Sequence, residues 1–401
     1  MGKRDSANGS GDAASRGSWD AITAAFARVY GDREPIHLGT IVPAALGGPD
    51  PLDGLSFYPR DDHWHVVSYG LTELHDEAPA EDGLSGFGFE LTMRIEDRTN
   101  PKPGPAEPSK APAILAAHAA LLQHLARYVF STKRALRHGE SMQLVPEAPD
   151  PFDGKWAGVI FADDPEVPPI DAPNGRVAFV QVVGLTLAEF RAAQRVGARA
   201  FLPLLQEVDP LLVSRPARPC LMSDATFAAR VEQHLATHGS TRNSVGARSL
   251  RVRTAGGRTV LGLRRAEAEA LRDGLLHVVA FGRTFGVLAK EASAVVVAQD
   301  ASEENRAAAA GATAVVVLGR DDARRLAGAF PSSGSQWQHP DVGALTIEID
   351  PEPQAPTGGA ASRATSATRD VPAGKKGCLG VVVACATALG ASAVAVIAAL
   401  R

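Results

Sequence analysis

The sequence predicts two α+β domains, and three observations point there. Segments of strand period alternate with segments of helical period along most of the chain. A Gly/Ser/Thr/Asn-rich stretch at 238–247 interrupts that alternation. Beyond residue 350 the composition changes twice, first to Pro, Ala, Gly, Ser and Thr and then to an uncharged apolar run. With 401 residues, 45% of them apolar and 21% charged, the chain is long enough for two or three buried cores.

Ser18 opens a helix in which Trp19, Ile22, Phe26 and Val29 recur at helical spacing, so residues 1–17 are expected to be disordered. A short strand over Ile36–Thr40 leads into a turn-dense loop from Leu46 to Gly54. Strand character resumes at His63–Gly70. In Phe87–Ile95 the residues Phe87, Phe89, Leu91, Met93 and Ile95 alternate with Glu90, Thr92 and Arg94, the pattern of a half-buried antiparallel strand. A helix over about 113–130 follows, then strands at 156–162 and 177–183 and a helix from Thr186 to Ala200. Residues 18–237 thus form the larger domain, with a mixed or antiparallel sheet. Residues 248–350 form the smaller one, with strand signals at 249–253, 259–263, 276–281, 294–298, 313–318 and 345–349.

Residues 351–377 read as a disordered tether. Residues 378–400 carry no charge, and 23 residues at about 1.5 Å each give a helix of about 35 Å, enough to cross a bilayer. Only Arg401 follows, so the span reads as a tail anchor. Lys375 and Lys376 before it place the soluble body on the cytoplasmic face of the membrane.

A net charge of −4 argues against a nucleic-acid binder held by a general positive field. Two of the three cysteines lie in the apolar run, which leaves Cys220 and excludes both a disulfide scaffold and a thiolate zinc site. No phosphate-binding glycine loop or hydrolase elbow is present, and no cofactor is implied. His63 and His65 share one face of a strand and read either as a metal-binding pair, with His37, His75 or an aspartate as third ligand, or as histidines hydrogen-bonded within a sheet. Asp50 and Asp53 read as paired carboxylates or, in a loop of glycines and prolines, as turn formers. Trp64, Phe87 and Phe89 read as core, and Gly47, Gly48, Gly86 and Gly88 as residues needed for backbone geometry.

The segments Leu46-Gly47-Gly48-Pro49-Asp50-Pro51-Leu52-Asp53, His63 to Leu74 and Ser85 to Arg94 resemble the suppressor-of-fused family. Leu125-Ala126-Arg127-Tyr128-Val129-Phe130 and Phe179 to Thr186, with Glu189 and Gln194, continue the resemblance in the same order; Phe281–Phe285 extends it weakly into the second domain. The resemblance implies a two-domain, non-enzymatic protein-binding module. Animal members hold a short peptide of Gli-type transcription factors as an added strand between the domains. The contacting positions fall here on Tyr128, beside Arg127, and on Glu140. Bacterial relatives resemble immunity proteins that neutralise a toxin. The expectation is therefore a toxin-immunity-type protein at the cytoplasmic face of a membrane, sequestering its partner between the domains. A suppressor-of-fused-like regulator of a transcription factor is the alternative, and a metal-dependent enzyme centred on His63 and His65 is the third reading.

Overall fold

The computed structural model describes residues 8–40, 48, 50–73, 83–96, 113–144, 156–215, 218–299, 304–330, 336–338, 342 and 344–350. By contact the chain divides into Met1–Gln233 and His234–Arg401. The expected tether and apolar span lie outside the described residues, and among those described no helix is long and apolar enough to cross a membrane.

In the first unit, one eight-stranded sheet lies between two helices. Its strands are β1 (Ile36–Gly39), β2 (Gly54–Pro59), β3 (His63–Tyr69), β4 (Leu84–Glu96), β5 (Ser141–Gln143), β6 (Gly158–Asp163), β7 (Ile170–Ala172) and β8 (Gly175–Leu185). Their order is β1-β2-β3-β4-β8-β6-β5, with β7 on β8; β4 and β8 run parallel and the other pairs antiparallel. Helix α1 (Asn8–Tyr30) covers one face and α2 (Ala113–Thr132) the other. Strand alternation distributes the side chains between them. Phe57, Val66, Leu91 and Met93 pack with Leu121, Leu125 and Val129 of α2. Tyr58, Val67, Tyr69 and Phe179 pack with Ile22, Phe26 and Tyr30 of α1.

Helix α1 begins at Asn8, upstream of the predicted cap. Ser18 lies inside it, buried, with its Oγ 3.3 Å from Ser85 Oγ. Helical signal after Thr186 is interrupted: Thr186 and Glu189 form a capping box at the start of α3 (Leu187–Val196), and Gly197, at φ 92°, separates it from α4 (Ala198–Val208). Strand β2 lay hidden behind the turn residues that precede it.

Strand β4 departs most from expectation. It is a central strand, antiparallel to β3 and parallel to β8, so the face carrying Glu90, Thr92 and Arg94 is buried under α1 rather than turned to water. The Arg94 guanidinium grips Asp164 with both arms, Nη1 to Oδ2 at 3.1 Å and Nη2 to Oδ1 at 3.0 Å, and also reaches Glu166 and Gln181. Asp164 further accepts from Thr92 Oγ1 and from His65 Nε2, both at 2.8 Å. An ionised carboxylate only accepts, so His65 carries its proton on Nε2. Its Nδ1 then accepts from the Tyr30 hydroxyl at 2.7 Å. Burial pushes His65 down to about 4, so it is neutral. Burial alone would raise the Asp164 carboxyl, but His65 and Arg94 outweigh it and hold Asp164 far below the usual range. Four residues before Arg94 on the same face, Glu90 accepts from Ser68, from Gly70 N–H and from both the N–H and hydroxyl of Thr72. Burial nonetheless pushes it up to about 7.

The second unit packs two sheets, β10-β11-β17-β16 and β14-β15-β13-β12-β9, with helices α6 (Arg265–His277) and α7 (Arg320–Gly328). Its strands are β9 (Ser244–Gly246), β10 (Leu250–Ala255), β11 (Arg258–Leu263), β12 (Phe285–Leu288), β13 (Ser293–Gln299), β14 (Arg306–Ala310), β15 (Thr313–Gly319), β16 (Gln336–Gln338) and β17 (Leu345–Ile349). The core joins Leu261, Leu271, Leu275, Phe285, Val296, Val316 and Leu326. Two local readings are corrected. The stretch 276–281 is the end of α6 and a 3₁₀ turn (Val279–Phe281) instead of a strand, because an apolar run that short has no decisive period. The expected linker holds the end of α5 (Ala225–His238) and strand β9, which pairs in parallel with β12.

Gly274 lies inside α6, where Ala would ordinarily be favoured by about 1 kcal/mol. A Cβ there would lie 2.3 Å from Cδ1 of the buried Phe285. Gly328, at the end of α7, has open space around it. Gly274→Ala is expected to destabilise the second unit by about 2 kcal/mol through overpacking, whereas Gly328→Ala leaves it unchanged or slightly more stable. Chemical denaturation of both variants checks the pair.

A second expectation concerns pH. The proton Glu90 holds in the fold, with its pKa raised from 4.5 to about 7, favours the folded state on acidification through that window. His65, lowered from 6.5 to about 4, works oppositely, since the unfolded chain takes up a proton that the fold excludes. Replacing Glu90 with Gln removes the opposing contribution. Between about pH 6.5 and 4.5, Glu90→Gln should lose stability more steeply than the parent, by about 1.4 kcal/mol per pH unit. Parallel stability profiles would refute the assignment.

Candidate functional site: a basic groove beside an open sheet edge

At the start of β4 the ladder to β8 breaks. Leu84 pairs with Arg176 and Phe89 with Ala178, and the register shifts between them. The break is built from Gly86 and Gly88, with φ 55° and 79°. A Cβ on Gly86 would lie 2.4 Å from the Glu73 carbonyl, so no larger residue fits there. The parted strands form one wall of a groove of about 580 Å³, with Phe87, Phe89, Ala178 and Val180 lining it.

The opposite wall is the segment that leaves α2. Lys133 ends the helix in the left-handed region at φ 56°, and its N–H closes on the Val129 carbonyl at 2.8 Å. The chain then runs through Arg134, Arg137 and His138 to Glu140, with Arg199 of α4 adding a further cation. Four Lys and Arg residues therefore face two acids, Glu140 and Asp163, around the groove. Glu140 is held by Arg134 Nη2 at 2.8 Å and by the Arg137 N–H at 3.2 Å. That pairing raises the Arg134 guanidinium, and the Tyr128 phenol adds a smaller contribution.

Tyr128 is half-buried, packed on the α2 side of the core, and Arg127 beside it is exposed. Arg127 Nη1 pairs with Asp50 Oδ1 at 2.5 Å, joining the Pro/Gly loop to the helix. A second tie is made by Gln123, whose amide exchanges hydrogen bonds with the Leu52 N–H and carbonyl at 3.1 and 2.9 Å. Asp53 serves the backbone: its N–H bonds Tyr69 O and its carbonyl accepts from Thr40, each at 2.9 Å. Pro51 is buried beside it, Gly48 is half-buried, and Gly47 lies outside the described residues.

Immediately after Glu140 comes β5, the last strand of the sheet order. The Glu140 carbonyl accepts from Phe161 N–H at 3.0 Å, and Leu144 N–H donates to Ala157 at 3.0 Å, so both turn their backbone groups toward β6. By antiparallel alternation Met142 does the same, while Ser141 and Gln143 present their N–H and carbonyl groups to the outer edge. No further strand pairs there among the described residues.

Among the described residues no group of three or more His, Cys, Asp or Glu side chains is placed to hold a metal ion at the histidine pair. His65 spends both ring nitrogens on Tyr30 and Asp164. His63 is buried, with Nδ1 2.7 Å from Asp62 Oδ1, and His37 Nδ1 lies 3.1 Å from Ser56 Oγ. His75 lies outside the described residues. Trp64, Phe87 and Phe89 are core residues on the α2 side. Sequence reasoning missed Arg134, which sits in an irregular segment without periodicity, and the buried set of Arg94, Asp164, Gln181 and Tyr30. The continuous apolar run of β8 could have exposed the latter, because a strand buried on both faces needs neighbours buried on both faces.

Residues 48–219 match the family model of the suppressor of fused protein (SUFU). Suppressor of fused homologs of Homo sapiens and Mus musculus are each 32% identical over 248 residues, covering 57% of this chain and 49% of theirs. The chain thus spans about half the length of these curated relatives. The crystal structure of Drosophila Suppressor of Fused shares the fold, with a TM-score of 0.64 at 22% identity over 83% of this chain and 97% of that one. The motifs around the groove and the buried row under α1 all fall within the stretch that matches the suppressor-of-fused family model, or against it.

Proposed function

We propose that this chain is a protein-binding module, without catalytic activity, that captures a short extended segment of its partner by strand addition to β5. The supporting observation is the edge of β5, on which no further strand pairs among the described residues, placed directly after Glu140, which Arg134 holds. An incoming strand would take its hydrogen bonds from the backbone of Ser141 and Gln143 and its selectivity from Tyr128, Glu140 and Arg127. A regulatory protein is the favoured partner class, because the human and mouse relatives are suppressor of fused homologs. A toxin of the immunity type is the second reading. It rests on the composition of residues 378–400, which we propose cross a membrane with the body on the cytoplasmic side.

The test is a random peptide display library panned against the protein. The parent should enrich extended peptides, and Tyr128→Ala and Glu140→Ala should each weaken them by about 1–3 kcal/mol with the fold retained. Gln143→Pro removes an outward N–H while sparing the ladder to β6, and it should abolish the enrichment. Unchanged affinity in all three variants refutes the site. For the apolar span, deleting 378–400 should shift the protein from the membrane fraction to the supernatant on carbonate extraction.

A further inference from the structure

A second cavity lies in the first unit and shares no residue with the groove. It holds about 360 Å³, within the range of small-ligand sites. Its floor is Trp156 and the end of β8. Gly184 permits this arrangement, since a Cβ there would lie 2.0 Å from the indole of Trp156. The walls are Leu205 and Val208 at the end of α4, the loop through Leu212 and Val213, and Leu221.

Three features of this lining lack a purely structural role. Ser214 is 4% exposed, and its Oγ meets no hydrogen-bond partner, although its backbone is fixed by Arg94 O at 2.8 Å and Glu96 N at 3.0 Å. A buried hydroxyl without a partner is costly. Val208 is 52% exposed, one of two large apolar side chains so exposed among the described residues. Leu212, between them, sits at φ 54°, a strained position for a residue with a Cβ. The charges at the rim are already answered within the chain. Arg215 Nε bonds Asp209 Oδ2 at 3.2 Å and its Nη1 reaches Glu96 Oε1 at 3.3 Å, while Arg218 Nη2 bonds Glu189 Oε2 at 3.0 Å.

We infer that this cavity is a binding site for an uncharged, mainly apolar small molecule that carries one hydrogen-bonding group, which meets Ser214 Oγ. The paired arginines leave no free cation for an anionic ligand. Val208 and Leu205 supply the apolar contact, and ligand binding would satisfy the one buried hydroxyl left without a partner among the described residues.

The probe is N-phenyl-1-naphthylamine, which is neutral, has a single N–H and brightens in apolar surroundings. Titrated into the full chain, it should bind saturably at one site per molecule. Val208→Trp places bulk at the exposed rim, and it should abolish that binding while the circular dichroism and melting temperature stay at the parent values. Ser214→Ala should weaken binding roughly three- to tenfold yet leave stability equal or higher, because no internal hydrogen bond is lost. A serine with only a structural role would show the reverse. Non-saturable binding, equal affinity in Val208→Trp, or an unchanged affinity in Ser214→Ala each overturns the inference.

Discussion

Arg94 and Asp164 are both fully enclosed, and the first unit is arranged around their pairing. Removing two charges from water costs several kcal/mol per ion, and the pair is tolerable only because both terminal nitrogens of Arg94 and both oxygens of Asp164 are answered. The required partners come from Thr92, Gln181, Glu166, His65 and, through His65, Tyr30. They stand on α1, β3, β4, β8 and the loop after β6. A row of this kind fixes register. Shifting any contributing strand by one residue would turn its polar member into the apolar face and leave a charge unanswered.

The same row reaches toward both surface features. Gln181 holds the carbonyls of Leu211 and Leu212 at 2.8 and 3.1 Å, pinning the strained loop that walls the small cavity. Asp164 follows Asp163, which ends β6 at the rim of the basic groove. The groove and the cavity are thus irregular edges of one rigid interior, and loops carried on rigid scaffolds are where binding sites concentrate.

Much of the first unit was legible. The alternation of Phe87 to Ile95 correctly grouped the residues that pack with α2, and Thr186 marked a helix start. The opposite face of β4 was misread because Glu, Thr and Arg at alternate positions carry the signature of a wet face, and single-sequence pattern cannot distinguish solvent from a buried partner such as Asp164 many residues away. Gly197 broke a helix that periodicity ran straight through, and β14 escaped notice because Arg306–Ala310 is an alanine run with no strand preference. Tyr128 and Glu140 were named from family resemblance alone. That Arg134 holds Glu140 depends on the left-handed turn at Lys133, which no spacing rule reveals.

The family match begins at residue 48, whereas α1 and β1 precede it. Those elements are no optional extension. The α1 residues Ile22, Phe26 and Tyr30 roof the charged row, with Phe26 5.5 Å from Phe179 and Tyr30 capping His65. An expression fragment trimmed to the matched stretch would therefore have a wet arginine–aspartate pair and an uncovered aromatic floor of Tyr58, Tyr69 and Phe179. The boundary of the family match and the boundary of the packed interior do not coincide. A fragment that keeps that interior dry has to carry the part of α1 that holds Ile22, Phe26 and Tyr30.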